Sequence, residues 1–392
     1  MIIGIVGKPS SGKSTFFKAC TMSNVEITGH PFTTIKPNQG VGYVRVECPC
    51  KKAKVKCDPQ NSYCRGGERF VPVRLLDVAG LVPGAHEGKG LGNQFLDDLR
   101  NADCLIHVID ASGMTNAVGD KTMNHDPYFD INFLDAEIHQ WFKGIIIKNF
   151  SMLTKKATHF GDSIIQVFSE PLTGLKISSE DLKKALVKSN LNLEKVQSWT
   201  LEDYAKLSVE LKNISKPMLI VANKADVPAS DEFIKNNKDI IPCSALAETV
   251  LRDLNEKGII EYVPGDSSFK VLKKDELDDK LTTALDMIKK RLFDVYNGTG
   301  VQKALNNAVF NLMHMKVAYP VEDEHKLSDS KGHVLPTAIL LDENATAEDL
   351  AYKIHSDIGK NFIRAIDCKT KMVIGKNHVL KNGDIVKIYA RT

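Results

Sequence analysis

No apolar run in the 392 residues approaches the roughly 18 that a membrane-spanning helix needs, and residues 1–6 carry no cationic leader region. A membrane span and a secretory leader are therefore not expected, and the expected compartment is the cytoplasm. A strong charge of one sign is also missing. The 52 basic residues face 49 acidic ones, a net of +3, which does not mark the chain as a nucleic-acid binder, although the lysines of 51–56 form a local basic patch. Tandem repeats and low-complexity segments are absent. With 43% hydrophobic and 26% charged residues the chain has ordinary globular composition, and its length allows two or three domains with cores of their own.

What is present is organised around Gly7-Lys8-Pro9-Ser10-Ser11-Gly12-Lys13-Ser14. The spacing G-x-x-x-x-G-K-S lets successive backbone N–H groups wrap a polyphosphate, sets Lys13 against the β and γ phosphates and offers the Ser14 hydroxyl to Mg²⁺. Ile2-Ile3-Gly4-Ile5-Val6 before it reads as a buried strand, and Ser14, Thr15 and onward to Cys20 as a helix whose N-terminus faces the phosphates. From average residue usage the pattern arises by accident in roughly one chain in a hundred of this length.

Strand signals follow at 41–46, 70–76, 105–110, 218–222 and 240–243, with a helix through 95–100. From 126 to 215 the period changes: Phe133, Leu134, Ile138, Trp141, Phe142, Ile145 and Ile146 recur at helical spacing, and further helices are predicted at 181–188 and 201–211. Alternating strands, loops and helices predict an α/β fold with a mostly parallel sheet covered by helices and ligand loops at the carboxyl ends of the strands. The domain reading is a nucleotide domain in two segments, 1–125 and 216–305, a helical insertion at 126–215, and 306–392 as connector plus a small β-rich module. That module has short strands at 338–341, 363–367 and 385–389 around one helix, opened by a capping box at Thr346-Ala347-Glu348-Asp349.

Further loops appear in the order a nucleotide triphosphatase needs. Asp77 ends a strand where a carboxylate would hold the Mg²⁺ water shell, and Gly80 offers a backbone N–H to the γ-phosphate. Thr34, or with less support Thr33, would bring a hydroxyl to Mg²⁺. Asn223-Lys224-Ala225-Asp226 suits guanine, because a carboxylate accepts from the ring N1–H and the 2-amino group together. Adenine offers neither donor there, and sites of this kind reject the wrong base by factors on the order of 10⁴. Ser244-Ala245-Leu246 would support the base from its other side.

The segments Pro31-Phe32-Thr33-Thr34 and Leu81-Val82-Pro83-Gly84-Ala85-His86-Glu87-Gly88-Lys89-Gly90-Leu91-Gly92-Asn93 resemble the Obg-related GTPases, specifically the YchF or Obg-like ATPase subfamily in its archaeal type. The resemblance covers essentially the whole chain. It implies a P-loop GTPase domain with a helical, coiled-coil-like insertion and a C-terminal ubiquitin-like β-grasp module of the TGS type. It further implies nucleotide hydrolysis coupled to binding of the ribosome, ribosomal RNA or a translation factor. The expected reaction is GTP to GDP with Mg²⁺ in a monomer; the alternatives are an ATPase of the same architecture, or a nucleotide-gated RNA- or ribosome-binding protein with negligible turnover. Some members lack N-K-x-D and prefer ATP; this chain keeps Asn223, Lys224 and Asp226.

One group is missing from the expected set. Where Ras-like enzymes place a water-orienting glutamine after D-x-x-G, this chain has Leu81, so slow intrinsic turnover is expected. His107, on the strand at 105–110, is a candidate substitute, although its apolar flanks favour a core histidine, and His86 reads as solvated. Cys48, Cys50, Cys57 and Cys64 supply four thiols, enough for a structural Zn²⁺. Their C-x-C-x₆-C-x₆-C spacing departs from the C-x₂₋₄-C pairs of zinc ribbons, and no histidine ligand accompanies them, so free loop thiols are the expectation.

Overall fold

The computed structural model describes residues 1–21, 38–78, 80, 92–154 and 164–391, which group by contact into two compact units. One comprises Met1–Ala19, Leu75–Glu248 and Thr282–Gly300, the other Cys20–Arg74, Thr249–Leu281 and Val301–Thr392. In chain order the early elements are β1 (Ile2–Val6), α1 (Lys13–Thr21), β2 (Gln39–Glu47), α2 (Cys50–Ala53), β3 (Tyr63–Arg65), β4 (Glu68–Asp77), α3 (Gly92–Asn101) and β5 (Cys104–Asp110). There follow α4 (Pro127–Thr154), α5 (Ile164–Ser169), α6 (Ser179–Ser189), α7 (Leu201–Ser215), β6 (Met218–Asn223), α8 (Asp231–Asn236), β7 (Ile241–Pro242) and α9 (Ala245–Glu256).

In the first unit β1, β5, β6 and β7 pair in parallel, in that order. The register sets Val6 opposite His107 and Asp110 opposite Asn223, so β5 and β6 end level and β1 gives way to the phosphate loop three residues earlier, on the same edge. Every residue of β5 is buried, as a parallel strand covered on both faces requires. The 28-residue α4, about 42 Å long, begins at Pro127, whose missing N–H is no loss in a first helical turn. Leu134, Ile138, Phe142, Ile146 and Phe150 line its buried face and meet Leu207 and Leu211 of α7. The same apolar cluster runs on through Val6, Leu76, Phe95, Leu99 and Leu105, so residues 126–215 share one core with the sheet. Capping boxes at Ser178/Asp181 and Thr200/Asp203 start α6 and α7, each contributing about 1 kcal/mol.

The second unit holds the β3–β4 hairpin, the two-stranded pair β8 (Ile260–Glu261) and β9 (Lys270–Val271), and the C-terminal module. Helix α10 (Asp279–Ile288) begins in this unit and continues into the first, α11 (Asp294–Tyr296) belongs to the first, and α12 (Val301–Asn306) precedes β10 (Lys316–Val321) and β11 (Ile339–Leu341) in the second. The chain then forms α13 (Ala347–Ile354), α14 (Ser356–Lys360), β12 (Phe362–Asp367), β13 (Met372–Ile374) and β14 (Asp384–Ala390). The sheet order is β11-β10-β14-β12-β13, with β10 and β14 parallel at its centre and the other pairs antiparallel. Leu350 of α13 packs with Ala318, Leu341, Ala365 and Val386. This is the ubiquitin-like β-grasp topology.

The capping box at Thr346 and Asp349 forms as the sequence implies. The single helix predicted behind it is two, because His355 adopts extended angles (φ −161°, ψ 143°), ends α13 and accepts the Asp357 N–H to start α14. Strand β13 went unread: it is three residues long and mostly exposed.

The four cysteines are free thiols, as expected, but they are not spread along a loop. Cys48 follows the end of β2, Cys50 opens α2 and Cys64 lies in β3, and with Cys57 their sulfurs converge within 4.8 Å of one another. Among the described residues no helix is long and apolar enough to cross a membrane.

Candidate nucleotide site

The phosphate loop leaves β1 through Gly7 and reaches α1 through Gly12. A Cβ on Gly7 would lie 2.5 Å from the Val108 carbonyl oxygen, and one on Gly12 (φ +91°) would lie 2.1 Å from Asn223 Nδ2, so both positions require glycine. Ser10 sits at φ +60° and is exposed at the loop's tip. Lys13 Nζ bonds Asp77 Oδ1 at 2.6 Å, and Ser14 Oγ donates to Asp77 Oδ2 at 3.1 Å. An ammonium, a hydroxyl and a carboxylate thus meet at the helix N-terminus, and the two oxygen donors suit a hard cation such as Mg²⁺. Gly80 lies against Pro9, where a Cβ would approach no closer than 3.5 Å.

Lys8 points elsewhere. Its ammonium is buried, donates to the Thr115 carbonyl at 2.6 Å and pairs with Asp130 of α4 at 2.8 Å. His125 Nε2 lies 2.8 Å from the other Asp130 oxygen. The Lys8 side chain is therefore committed to α4, and only its backbone remains for a phosphate.

At the base end, Asn223 Nδ2 donates to Ser11 O at 2.9 Å while its Oδ1 accepts the Ala245 N–H at 3.0 Å. One amide ties the phosphate loop to the Ser244 loop. Lys224, at φ +66°, turns its ammonium to Asp110 Oδ2 at 2.8 Å. Burial alone would raise the Asp110 carboxyl, but Lys224, the Ser112 hydroxyl at 2.5 Å and the Thr115 hydroxyl at 2.6 Å hold it below its ordinary value. Ala225 N donates to Cys243 O at 2.9 Å. Asp226, half-buried, has no hydrogen-bond partner among the described residues. Buried Ser244 caps α9 by accepting the Ala247 N–H at 3.2 Å, and Leu246 beside it is 61% exposed.

Thr33, Thr34, Leu81, His86 and the glycine-rich loop up to 91 lie outside the described residues. His107 is buried in β5 with Nδ1 unpartnered among the described residues, and burial lowers its pKa to about 3. A neutral ring sealed from solvent has no path to an attacking water, so its suggested catalytic role is dropped. Asp110 and Asp130 were missed. A carboxylate ending β5 beside the sheet's ligand edge was a usable signal for Asp110; nothing local pointed to Asp130.

A phosphate loop, a strand-ending carboxylate and an N-K-x-D turn, set at the carboxyl edge of a parallel sheet, define a P-loop GTPase. Comparison with known proteins agrees. Residues 2–147 match the family of 50S ribosome-binding GTPases, 221–323 the G4 motif-containing domain of Obg-like YGR210-like GTPases, and 331–390 the TGS domain. An uncharacterised GTP-binding protein of Methanocaldococcus jannaschii is 47% identical, over 99% of this chain and 98% of its own. The crystal structure of a GTP-binding protein from Pyrococcus horikoshii superposes with a TM-score of 0.79 at 35% identity, covering 100% of both chains. A Mycoplasma genitalium protein named ribosome-binding ATPase YchF is 34% identical over 57% of this chain and 56% of its own. The chain belongs to the Obg-like GTPases, the family that includes the YchF proteins.

Proposed function

We propose that this chain is a guanine-nucleotide switch that hydrolyses GTP to GDP while engaged with the ribosome. Asp226 carries the base assignment: Asn223 and Lys224 are spent on holding loops together, whereas the Asp226 carboxylate keeps both oxygens available for the two N–H donors of guanine. Lys13 leaves Asp77 to meet the β and γ phosphates. Ser14 and Asp77, with Thr34, are the residues that would hold Mg²⁺, which when bound neutralises charge developing on the transferred phosphate. The backbone N–H groups of 7–14, Pro9 excepted, and the N-terminus of α1 cradle the rest. With Leu81 in the glutamine's place, the chain supplies no side chain there to orient water, so turnover is slow until a partner completes the site.

Ribosome engagement draws support from the family model and from the ribosome-binding name of the Mycoplasma relative. The test is competitive titration of the nucleotide-free chain with fluorescent GTP and ATP analogues in Mg²⁺. A guanine preference of at least a hundredfold, about 2.7 kcal/mol, is expected, and Asp226→Asn should erase it. Equal or tighter ATP binding would overturn the GTPase assignment and favour an ATPase on the same scaffold. Co-sedimentation with ribosomes in GTP but not GDP tests the switch.

A further inference from the structure

We propose that Cys48, Cys50, Cys57 and Cys64 form a structural Zn²⁺ site. The Cys48 and Cys57 sulfurs are 4.0 Å apart, those of Cys50 and Cys64 are 3.9 Å apart, and all four fall within 4.8 Å of one another. A tetrahedral Zn²⁺ with bonds of about 2.3 Å needs sulfurs about 3.8 Å apart, so a small contraction closes the cage. Four thiolates with no oxygen ligand select Zn²⁺ over Mg²⁺ or Ca²⁺.

The backbone is built to bring them together. Lys51 N donates to Cys48 O at 3.2 Å and Val55 N to Cys50 O at 3.2 Å, folding 48–55 into a compact knuckle that Lys54 closes at φ +54°. Arg65-Gly66-Gly67-Glu68 turns the β3–β4 hairpin with both glycines at positive φ (+59° and +78°). Cys48 N then bonds Gly67 O at 2.9 Å, which carries Cys64 back to the knuckle.

A second observation concerns charge. Arg69 lies directly across the hairpin from Cys64 and is fully buried. Among the described residues its guanidinium donates to two neutral oxygens, Ser62 Oγ and Leu335 O, each at 2.9 Å, and lies over the Tyr319 ring at 5.4 Å. No carboxylate pairs with it among the described residues, although a buried cation without a counter-charge is costly. Four thiolates (−4) around Zn²⁺ (+2) leave −2 beside it, the counter-charge it lacks.

The test uses the full chain purified under reducing, anaerobic conditions. Elemental analysis should find about one Zn²⁺ per chain, and Co²⁺ exchanged into the site should give the intense absorption of a tetrahedral tetrathiolate. Cys50→Ser/Cys64→Ser should reduce bound metal to near none while GTP binding persists, which shows the nucleotide unit still folded. Should that variant not fold, the Co²⁺ spectrum and metal protection of the wild-type thiols from alkylation decide alone. The proposal is overturned if the reduced wild-type chain takes up no Zn²⁺, if iron replaces it, if Co²⁺ binds octahedrally, if the folded double variant keeps its metal, or if the thiols are found paired as disulfides.

Discussion

Asn223 reaches across the nucleotide site and donates its side-chain Nδ2 to the backbone carbonyl of Ser11, 2.9 Å away, in a contact so close that Gly12 can carry no Cβ. Phosphate and base recognition therefore share one support. Asn223→Ala should strand the Ser11 carbonyl and the Ala245 N–H in the interior, at a cost of about 1–3 kcal/mol each. The expected result is weakened binding of GTP and GDP alike, with a lowered melting temperature, by titration and thermal denaturation. Loss of guanine preference with unchanged total affinity would contradict it.

Lys8 and Asp130 form a buried pair between the phosphate loop and α4. Removing either alone, as in Lys8→Met or Asp130→Leu, leaves a buried charge unpaired and should destabilise by about 3–5 kcal/mol. The double variant should recover most of that loss. A double-mutant cycle in urea reads it directly, and additive single effects would show the two residues to be independent.

His107 gives a pH prediction. Its folded pKa is about 3 against 6.5 for an ordinary histidine, so the unfolded chain binds a proton that the folded chain refuses. Its stability contribution is complete above about pH 6.5 and declines as pH falls toward 3, reaching a loss of about 2 kcal/mol at pH 5. His107→Leu should flatten the stability profile between pH 6.5 and 4 and leave GTP turnover within a few-fold of the parent. A large drop in kcat with normal folding would restore a catalytic role to the ring.

Asp77 is paired with Lys13 and Ser14. Asp77→Asn should weaken the Mg²⁺ dependence of GTP hydrolysis by at least tenfold while GDP binding measured without Mg²⁺ changes little. Nucleotide titrations across Mg²⁺ concentrations check both.

Much of the site was legible because its parts are local motifs. The phosphate loop, Asp77, the Asn223–Asp226 turn and Ser244 each sit at a strand end, where a few neighbouring residues dictate the conformation. The Lys8–Asp130 and Lys224–Asp110 pairs were not legible, since the partners meet only through the sheet register and the start of α4. The convergence of the four cysteine sulfurs was not legible for a related reason. Ribbon spacing presumes two matching knuckles, whereas here one knuckle, one loop and one hairpin supply the sulfurs, and the hairpin returns Cys64 through a backbone bond that spacing does not encode. The helix break at His355 depended on a side chain capping the next helix, which propensity alone does not anticipate.

The parallel register of β1, β5 and β6 has a consequence for the order of events in synthesis. Val6, His107 and Ile220 come into line only after two long stretches of chain have been closed, and such pairings form slowly. The phosphate loop is among the first segments made, yet its brace, Asn223, and the loop at Ala245 are made much later. The braced site is therefore complete only once residue 245 has been made, and the unit itself only at Gly300, so GTP bound at the finished site stabilises the folded unit rather than its early steps.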